Sequence, residues 1–288
     1  ITAATTLDAQ AIRIGFKHSE VTEMEVYLSQ EEKIKLGEIL VVHTPMLKKG
    51  ADAEAFESHV LDEVLPAWGV LGTQVDTHFF RADRASPTSL SPVGSYWLLW
   101  NIETQKQRAT MLPRNEASGF SSAVLEKVGK AVMPATRFLD KEGGYTDYVL
   151  VGAEDIENVP EVALLGAHFI EVKEDRKAEF DAFVRETLHP ALVGKIYGMN
   201  LLYYKGVRGA NKGQYVTIFA IESVQAREHY WPTDASETNA LMEAFKPLRP
   251  IARELETYLV PDSYLKAESG AAAAIFESLN WTDFALLK

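Results

Sequence analysis

The chain has 288 residues, and its 41 acidic side chains outnumber its 29 basic ones. A net charge of −12 argues against nucleic acid or an anionic membrane surface as the main partner. The absence of cysteine excludes disulfides, thiolate metal sites and cysteine nucleophiles. A hydrophobic content of 47% predicts a globular protein, and no apolar run reaches the roughly 18 residues of a membrane-spanning helix.

The first 38 residues are interpreted as an N-terminal extension. Ile1–Ala11 is rich in alanine and threonine, which favours an exported protein whose signal peptide has been removed. Ala11–Phe16 alternates like a strand, and Glu23–Leu36 has a loosely helical pattern.

The rest of the chain contains an internal duplication. Five sequence blocks recur in the same order with nearly constant spacing. The paired blocks are 39–43 with 164–168, 55–67 with 179–191, 78–81 with 202–205, 95–103 with 214–222, and 145–151 with 281–287. This pattern predicts two tandem repeats, at 39–155 and 156–288.

Each repeat has the same predicted order of strands and helices. The strands are expected at 39–46, 74–82, 94–103 and 145–151, then at 163–172, 198–205, 214–222 and 281–287. The helices are expected at 53–65 and 123–139, then at 175–188 and 239–259. Pro66 and Pro190 are expected to end the first helix of each repeat, and Pro134 and Pro250 to kink or split the second.

The order β-α-β-β-α-β, present twice, predicts an α+β protein built from two tandem ferredoxin-like units. The strands are apolar on both faces, so the two sheets are expected to pack against each other, with Phe56 and Phe180 buried under the helices. Such a chain resembles the dimeric α+β barrel superfamily, here fused into an intrachain pseudo-dimer. The resemblance is to barrels of the antibiotic-biosynthesis monooxygenase type, without the motif of a specific family.

A barrel of this kind implies a site in its lumen, where polar side chains on an apolar strand are the first candidates. Gln74, Asp76 and His78 share one face of a predicted strand because side chains alternate. Asp76 and His78 could therefore form a pair of orienting carboxylate and general base, and Gln74 could contact a substrate. The alternative is that this strand face meets solvent.

His43 and His168 occupy the same place in the two repeats. Pseudo-symmetry could bring them together in one cavity as proton carriers or ligands, although duplication copies a packing histidine equally well. No metal site is predicted, because no third ligand accompanies them.

Three further strand residues are candidates for substrate contact: Asn200 and Tyr204, on the strand equivalent to that of Asp76, and the aromatic Trp97. A lumen lined by such aromatic side chains suits a flat apolar or aromatic ligand, although they also serve simply as core.

The resemblance leaves three functions open. The first is a cofactor-independent monooxygenase acting on an apolar or aromatic substrate. The second is a non-catalytic binding or stress-associated barrel. The third is a haem-binding barrel of the chlorite dismutase type with His168 or His189 as the axial ligand, but the residues flanking that ligand are not matched, so no cofactor is predicted. A homodimer is left open.

Overall fold

The computed structural model describes residues 4–9, 22–27, 33–69, 75–111, 121–141, 144–152, 161–231, 239–264 and 279–287. The chain divides into two compact units, Ile1–Glu32 and Lys33–Lys288. In the first unit, β1 (Ala4–Ala9) and β2 (Thr22–Tyr27) form an antiparallel pair. The helix predicted over Glu23–Leu36 is therefore wrong, since an alternating apolar pattern in Thr22–Tyr27 suits a strand. Ala11–Phe16 lies outside the described residues.

The second unit contains the predicted strands and helices together with several short ones that were not predicted. Its strands are β3 (Ile34–Lys35), β4 (Ile39–His43), β5 (Met46–Leu47), β6 (Asp76–Ala85), β7 (Tyr96–Ile102), β8 (Leu139–Lys141), β9 (Tyr145–Leu150), β10 (Glu161–Val162), β11 (Leu164–Ile170), β12 (Met199–Gly209), β13 (Tyr215–Ile221) and β14 (Asn280–Leu286). Its helices are α1 (Ala53–His59), α2 (Leu65–Trp68), α3 (Gln105–Met111), α4 (Ser122–Val132), α5 (Lys177–Phe183), α6 (His189–Leu192), α7 (Val224–Tyr230), α8 (Asn239–Phe245) and α9 (Arg249–Tyr258).

Eight antiparallel strands close into a barrel in the order β11-β13-β12-β9-β4-β7-β6-β14. Within this ring, β9-β4-β7-β6 and β14-β11-β13-β12 are two ferredoxin-like sheets with the same internal order. They join edge to edge where β12 pairs with β9 and β6 pairs with β14. The predicted fold class is confirmed: the chain has the dimeric α+β barrel fold with both halves in one polypeptide. The exact division at 38/39 and 155/156 stays a prediction.

The strand register reproduces the alignment of the two repeats. Val41 lies opposite Asp147 in the pairing of β4 with β9, and Gly166 lies opposite Asp283 in the equivalent pairing of β11 with β14. The same residue positions thus occupy the same places in each half.

Both junctions between the halves carry a β-bulge at equivalent positions. Asp283 pairs with Arg84 and Phe284 with Ala82, so that Asp83 is the extra residue on β6, as Val207 is on β12. A bulge shifts the alternation of side chains along its strand. Arg84 is therefore turned to the outer face of the barrel, whereas simple alternation would place it in the lumen.

The first helix of each half does not end at its proline. Residues 60–64 and 184–188 form a π-helical turn, and α2 and α6 continue beyond it. In this turn Leu65 donates its N–H to the carbonyl of Val60, five residues back, and His189 does the same to Val184. The wider turn accommodates Pro66 and Pro190, which lack an N–H and would crowd a regular α-helix.

Three apolar clusters stabilise the barrel. Residues of both halves fill the lumen, among them Val42, Phe80, Trp97 and Tyr204. One cluster on the outer face of each sheet packs under the helices, and includes Phe56 in the first half and Phe180 in the second, which are 1% and 0% exposed. Within the described part of the chain, no helix has the length and hydropathy needed to cross a membrane.

Candidate functional site

A cavity of about 420 Å³ opens at one end of the barrel and is called the mouth cavity here. It lies where β4 and β11 end and β7 and β9 begin, under the chain segments 44–47 and 90–95. Apolar and aromatic side chains from both halves line it, among them Val42, Trp97, Tyr148 and Phe169. The volume lies in the range of small-molecule sites, which are mostly apolar with a few polar groups.

Two side chains of the mouth cavity contain buried polar atoms without a hydrogen-bond partner in the described structure. They are Trp97 Nε1 and Ser95 Oγ. The indole of Trp97 is held by stacking on Phe284, with ring centroids 4.3 Å apart. A buried polar group without a partner is costly, and both atoms have almost no accessible surface in the described structure.

Tyr148 supplies a further hydrogen-bonding group. Its hydroxyl accepts a hydrogen bond from Asn211 Nδ2 at 2.8 Å, and the Asn211 N–H is bonded to Thr146 Oγ1 at 3.2 Å. Burial raises the pKa of Tyr148 to about 12, so the phenol keeps its proton at neutral pH and can donate it in a hydrogen bond. The titratable groups among the described lining residues are tyrosines, Tyr96 and Tyr148.

Asp76 and His78 form the predicted pair at the other end of the lumen. Asp76 Oδ2 lies 2.7 Å from His78 Nε2, and this contact is the main cause that lowers the pKa of Asp76. The imidazole is buried, while the Asp76 side chain is 62% exposed. Asp76 pairs with Asn101 at the end of β7, whereas the mouth cavity lies at the beginning of that strand. Neither residue lines the mouth cavity, and Gln74 lies outside the described residues.

His43 and His168 do not meet in the lumen, so the expected shared cavity is wrong. Their chain neighbours, Val42 before His43 and Ala167 before His168, point into the lumen. Because side chains alternate along a strand, each histidine faces the helix-covered outer side of its own half. The His43 ring lies 5.5 Å from that of Trp100, and burial lowers the pKa of His43 to about 4.

Two of the remaining residues predicted to contact a substrate make structural hydrogen bonds, and one lines the mouth cavity. Asn200 Oδ1 accepts a hydrogen bond from the Gly194 N–H at 2.5 Å, and Tyr204 donates its hydroxyl to the Gly37 carbonyl at 2.9 Å. These bonds hold loops at the closed end of the barrel. Of the predicted residues, Trp97 lines the mouth cavity.

The histidines offered as haem ligands do not fit that cofactor. His189 Nε2 accepts the Tyr203 N–H at 3.1 Å, so its lone pair is already used. His168 lines a second cavity, the outer cavity, of about 100 Å³, the volume of roughly three water molecules. Among the described residues there is also no group of three or more metal-ligating side chains.

Sequence reasoning missed Tyr148, Asn211 and Ser95. Tyr148 lies in the repeated block 145–151, and alternation along that strand was the signal that could have identified it. Asn211 lies in a glycine-rich hairpin tip, where no strand pattern indicates which residues turn toward the barrel mouth.

Comparisons with known proteins identify no family. No family model and no curated protein matches the chain. Among solved structures, a candidate monooxygenase from Fusobacterium nucleatum is 11% identical, with a TM-score of 0.48 over 87% of this chain and 92% of that one. An anthrone oxidase-like protein is also 11% identical, with a TM-score of 0.40 over 89% and 95% of the two chains. At this level of similarity, neither match assigns an activity.

Proposed function

We propose that the protein binds a small, uncharged aromatic molecule in the mouth cavity. The observation that carries this proposal is a 420 Å³ space whose lining is mostly apolar, with a minority of uncharged polar groups. Trp97 and Phe169 offer aromatic surfaces for ring contacts, which favour a flat ligand. The net charge of −12 and the apolar floor both disfavour an anion.

The polar groups of the cavity specify the kind of substituent that the ligand carries. The Tyr148 hydroxyl accepts a hydrogen bond from Asn211 and has its own proton to donate. A carbonyl or hydroxyl oxygen on the aromatic ring would accept such hydrogen bonds. The ligand class is therefore an aromatic ring system with one or two oxygen substituents.

The cavity supports binding more strongly than proton-transfer catalysis. Its described lining has no carboxylate or imidazole, and its tyrosines stay protonated at neutral pH because burial raises their pKa. A monooxygenase activity using Asp76 and His78 stays a prediction, and their position at the opposite end of the lumen gives it no support.

A fluorescence titration with 2-naphthol, a neutral ring system with one hydroxyl, tests the proposal. We expect saturable binding to the wild-type protein. Ser95→Leu would place a larger side chain in the cavity and should raise the Kd at least tenfold. The matched control is Ser58→Leu on the exposed face of α1, which should leave the Kd within twofold.

A second variant tests the hydrogen bond from the cavity wall. Tyr148→Phe removes the hydroxyl and keeps the ring, so the Kd should rise about two- to twelvefold, as expected for one net hydrogen bond of about 0.5–1.5 kcal/mol. Non-saturable binding to the wild type, or equal affinity in wild type and Ser95→Leu, would show that the mouth cavity is not the site.

A further inference from the structure

The opening of the mouth cavity is bordered by exposed apolar side chains. Met46, Leu90 and Val93 all line the cavity, and they are 57%, 70% and 62% exposed. These three residues are called the apolar rim. Single apolar residues on a protein surface are common, but several that line one opening indicate a place where another apolar group binds.

The rim is also free of charge. Among the described residues that line the mouth cavity, none is acidic or basic. A charged group that left the cavity would therefore find no ion-pair partner in this lining and would lose part of its hydration against apolar side chains. We expect the part of a ligand that reaches the opening to be uncharged and apolar.

The second half has a charged residue at the position equivalent to Met46. Lys48 and Lys173 mark the equivalence, because each donates its N–H to a carbonyl near the end of the second helical region of its own half, at 2.8 and 2.9 Å. Two residues before these lysines lie Met46 and Glu171, and both are exposed. An exposed position that has a carboxylate in one half thus has a thioether at the edge of the cavity in the other.

The hairpin tips of the two halves show the same contrast. The tip at 206–213 contains Arg208 and Lys212, whereas the equivalent tip at 86–95 contains no charged residue and exposes Leu90 and Val93. Exposed positions usually have polar or charged side chains. Solvent exposure alone therefore does not account for the apolar residues of the tip that borders the cavity.

Hydrogen bonds to β14 hold the tip at 86–95 in place. The Leu90 N–H donates to Asn280 Oδ1 at 3.1 Å, and Thr282 Oγ1 donates to the Ser91 carbonyl at 2.7 Å. The backbone that carries Leu90 and Val93 is thus already ordered. Covering these side chains with a ligand then costs little backbone entropy.

We propose that the aromatic ligand of the mouth cavity carries a short alkyl chain, which leaves the cavity across the apolar rim. This inference rests on the proposed function, since the aromatic ring must occupy the cavity for the chain to reach the rim. The chain would lie on Met46, Leu90 and Val93 and remove their surfaces from water, which stabilises the complex in proportion to the apolar area buried. The ligand class is thereby narrowed to an alkyl-substituted aromatic ring system.

Three ligands test the alkyl chain in fluorescence titrations of the full chain: 2-naphthol, 6-propyl-2-naphthol and 6-(2-hydroxyethyl)-2-naphthol. The propyl and hydroxyethyl groups have the same number of non-hydrogen atoms and differ in polarity. A fully buried methylene lowers the Kd about fourfold, so a propyl group on a partly exposed rim should lower the Kd about tenfold relative to 2-naphthol. The hydroxyethyl compound should bind at least threefold more weakly than the propyl compound.

The double variant Met46→Ser/Leu90→Ser makes the rim polar. The measured quantity is the ratio of the 2-naphthol Kd to the 6-propyl-2-naphthol Kd within each protein, so that any change in ring binding cancels. This ratio should fall from about tenfold in the wild type to less than about threefold in the rim variant. The matched control is Met133→Ser/Leu125→Ser, which replaces exposed residues of the same two types outside the mouth cavity and should keep the wild-type ratio.

Four results would overturn the proposal while 2-naphthol still binds saturably. They are a ratio near one in the wild type, equal ratios in the wild type and the rim variant, hydroxyethyl binding as tight as propyl binding, and a wild type that sediments as a dimer when the rim variant is a monomer. The last would show that a second copy of the chain covers the rim. Absence of saturable 2-naphthol binding would instead refute the proposed function, and this inference with it.

Discussion

His189 makes the stability of the barrel depend on pH. The imidazole is 3% exposed, and its Nε2 accepts the backbone N–H of Tyr203 at 3.1 Å, so the neutral ring with its proton on Nδ1 is the form that the fold holds. Burial lowers its pKa from the ordinary value of 6.5 to about 4. Protonation would replace the acceptor by a second donor that faces the Tyr203 N–H.

The sign of the effect follows from the two pKa values. Between about pH 6.5 and pH 4 the unfolded chain binds a proton at this histidine and the folded chain does not. The stabilising contribution is therefore complete above pH 6.5 and is lost as the pH falls toward 4. From pH 7 to pH 5, His189 alone should reduce the free energy of unfolding by about 2 kcal/mol.

His189→Gln isolates this contribution, because an amide oxygen can accept the same backbone hydrogen bond and does not titrate. Urea unfolding of both proteins at pH 7 and pH 5 gives the change in each. Other titrating groups affect both proteins equally, so the wild type should lose about 2 kcal/mol more than the variant. Equal losses in the two proteins would show that the imidazole is not held neutral in the folded state.

Three stability predictions follow from other features. Phe56→Ala and Phe180→Ala should each lower the free energy of unfolding by about 3–5 kcal/mol in urea melts, and losses below about 1 kcal/mol at both would refute their packing. Arg108→Met leaves the buried carboxylate of Asp147 without its ion-pair partner and should cost about 3–5 kcal/mol, whereas a cost near zero would show that the pair is dispensable. Gly209→Ala would push a methyl group into the carbonyl of the neighbouring strand at a positive φ, so its melting temperature should fall by several degrees; an unchanged value would contradict this backbone geometry.

The duplication made most of the barrel predictable from sequence. Aligned blocks define equivalent strands, and the ferredoxin-like order of strands then leaves few ways to join two sheets. Helices α3 and α7, which follow the third strand of each half, were missed, as was the continuation of a helix through Pro66. These features depend on tertiary packing and on a π-helical turn, neither of which the hydrophobic periodicity records.

The candidate site was predictable only in part. Alternation along a strand correctly placed Asp76 and His78 within reach of each other. It could not show that the cavity lies at the opposite end of the lumen, because the loops at each end decide which part stays open. Alternation alone would also misplace Arg84, because one extra residue in the strand reverses the side-chain direction.

The two halves are joined at β6–β14 and β9–β12 by main-chain pairing. Peptide groups hydrogen-bond in the same way whatever side chains they carry, so this pairing constrains the outer faces of the two sheets less than the lumen, which apolar residues of both halves fill. After a gene duplication, either copy could therefore accumulate substitutions without separating from its sister. Val41 and Gly166 illustrate such a divergence at equivalent positions on the outer faces of the two sheets. A fused barrel can in this way change one half while the other continues to support the fold.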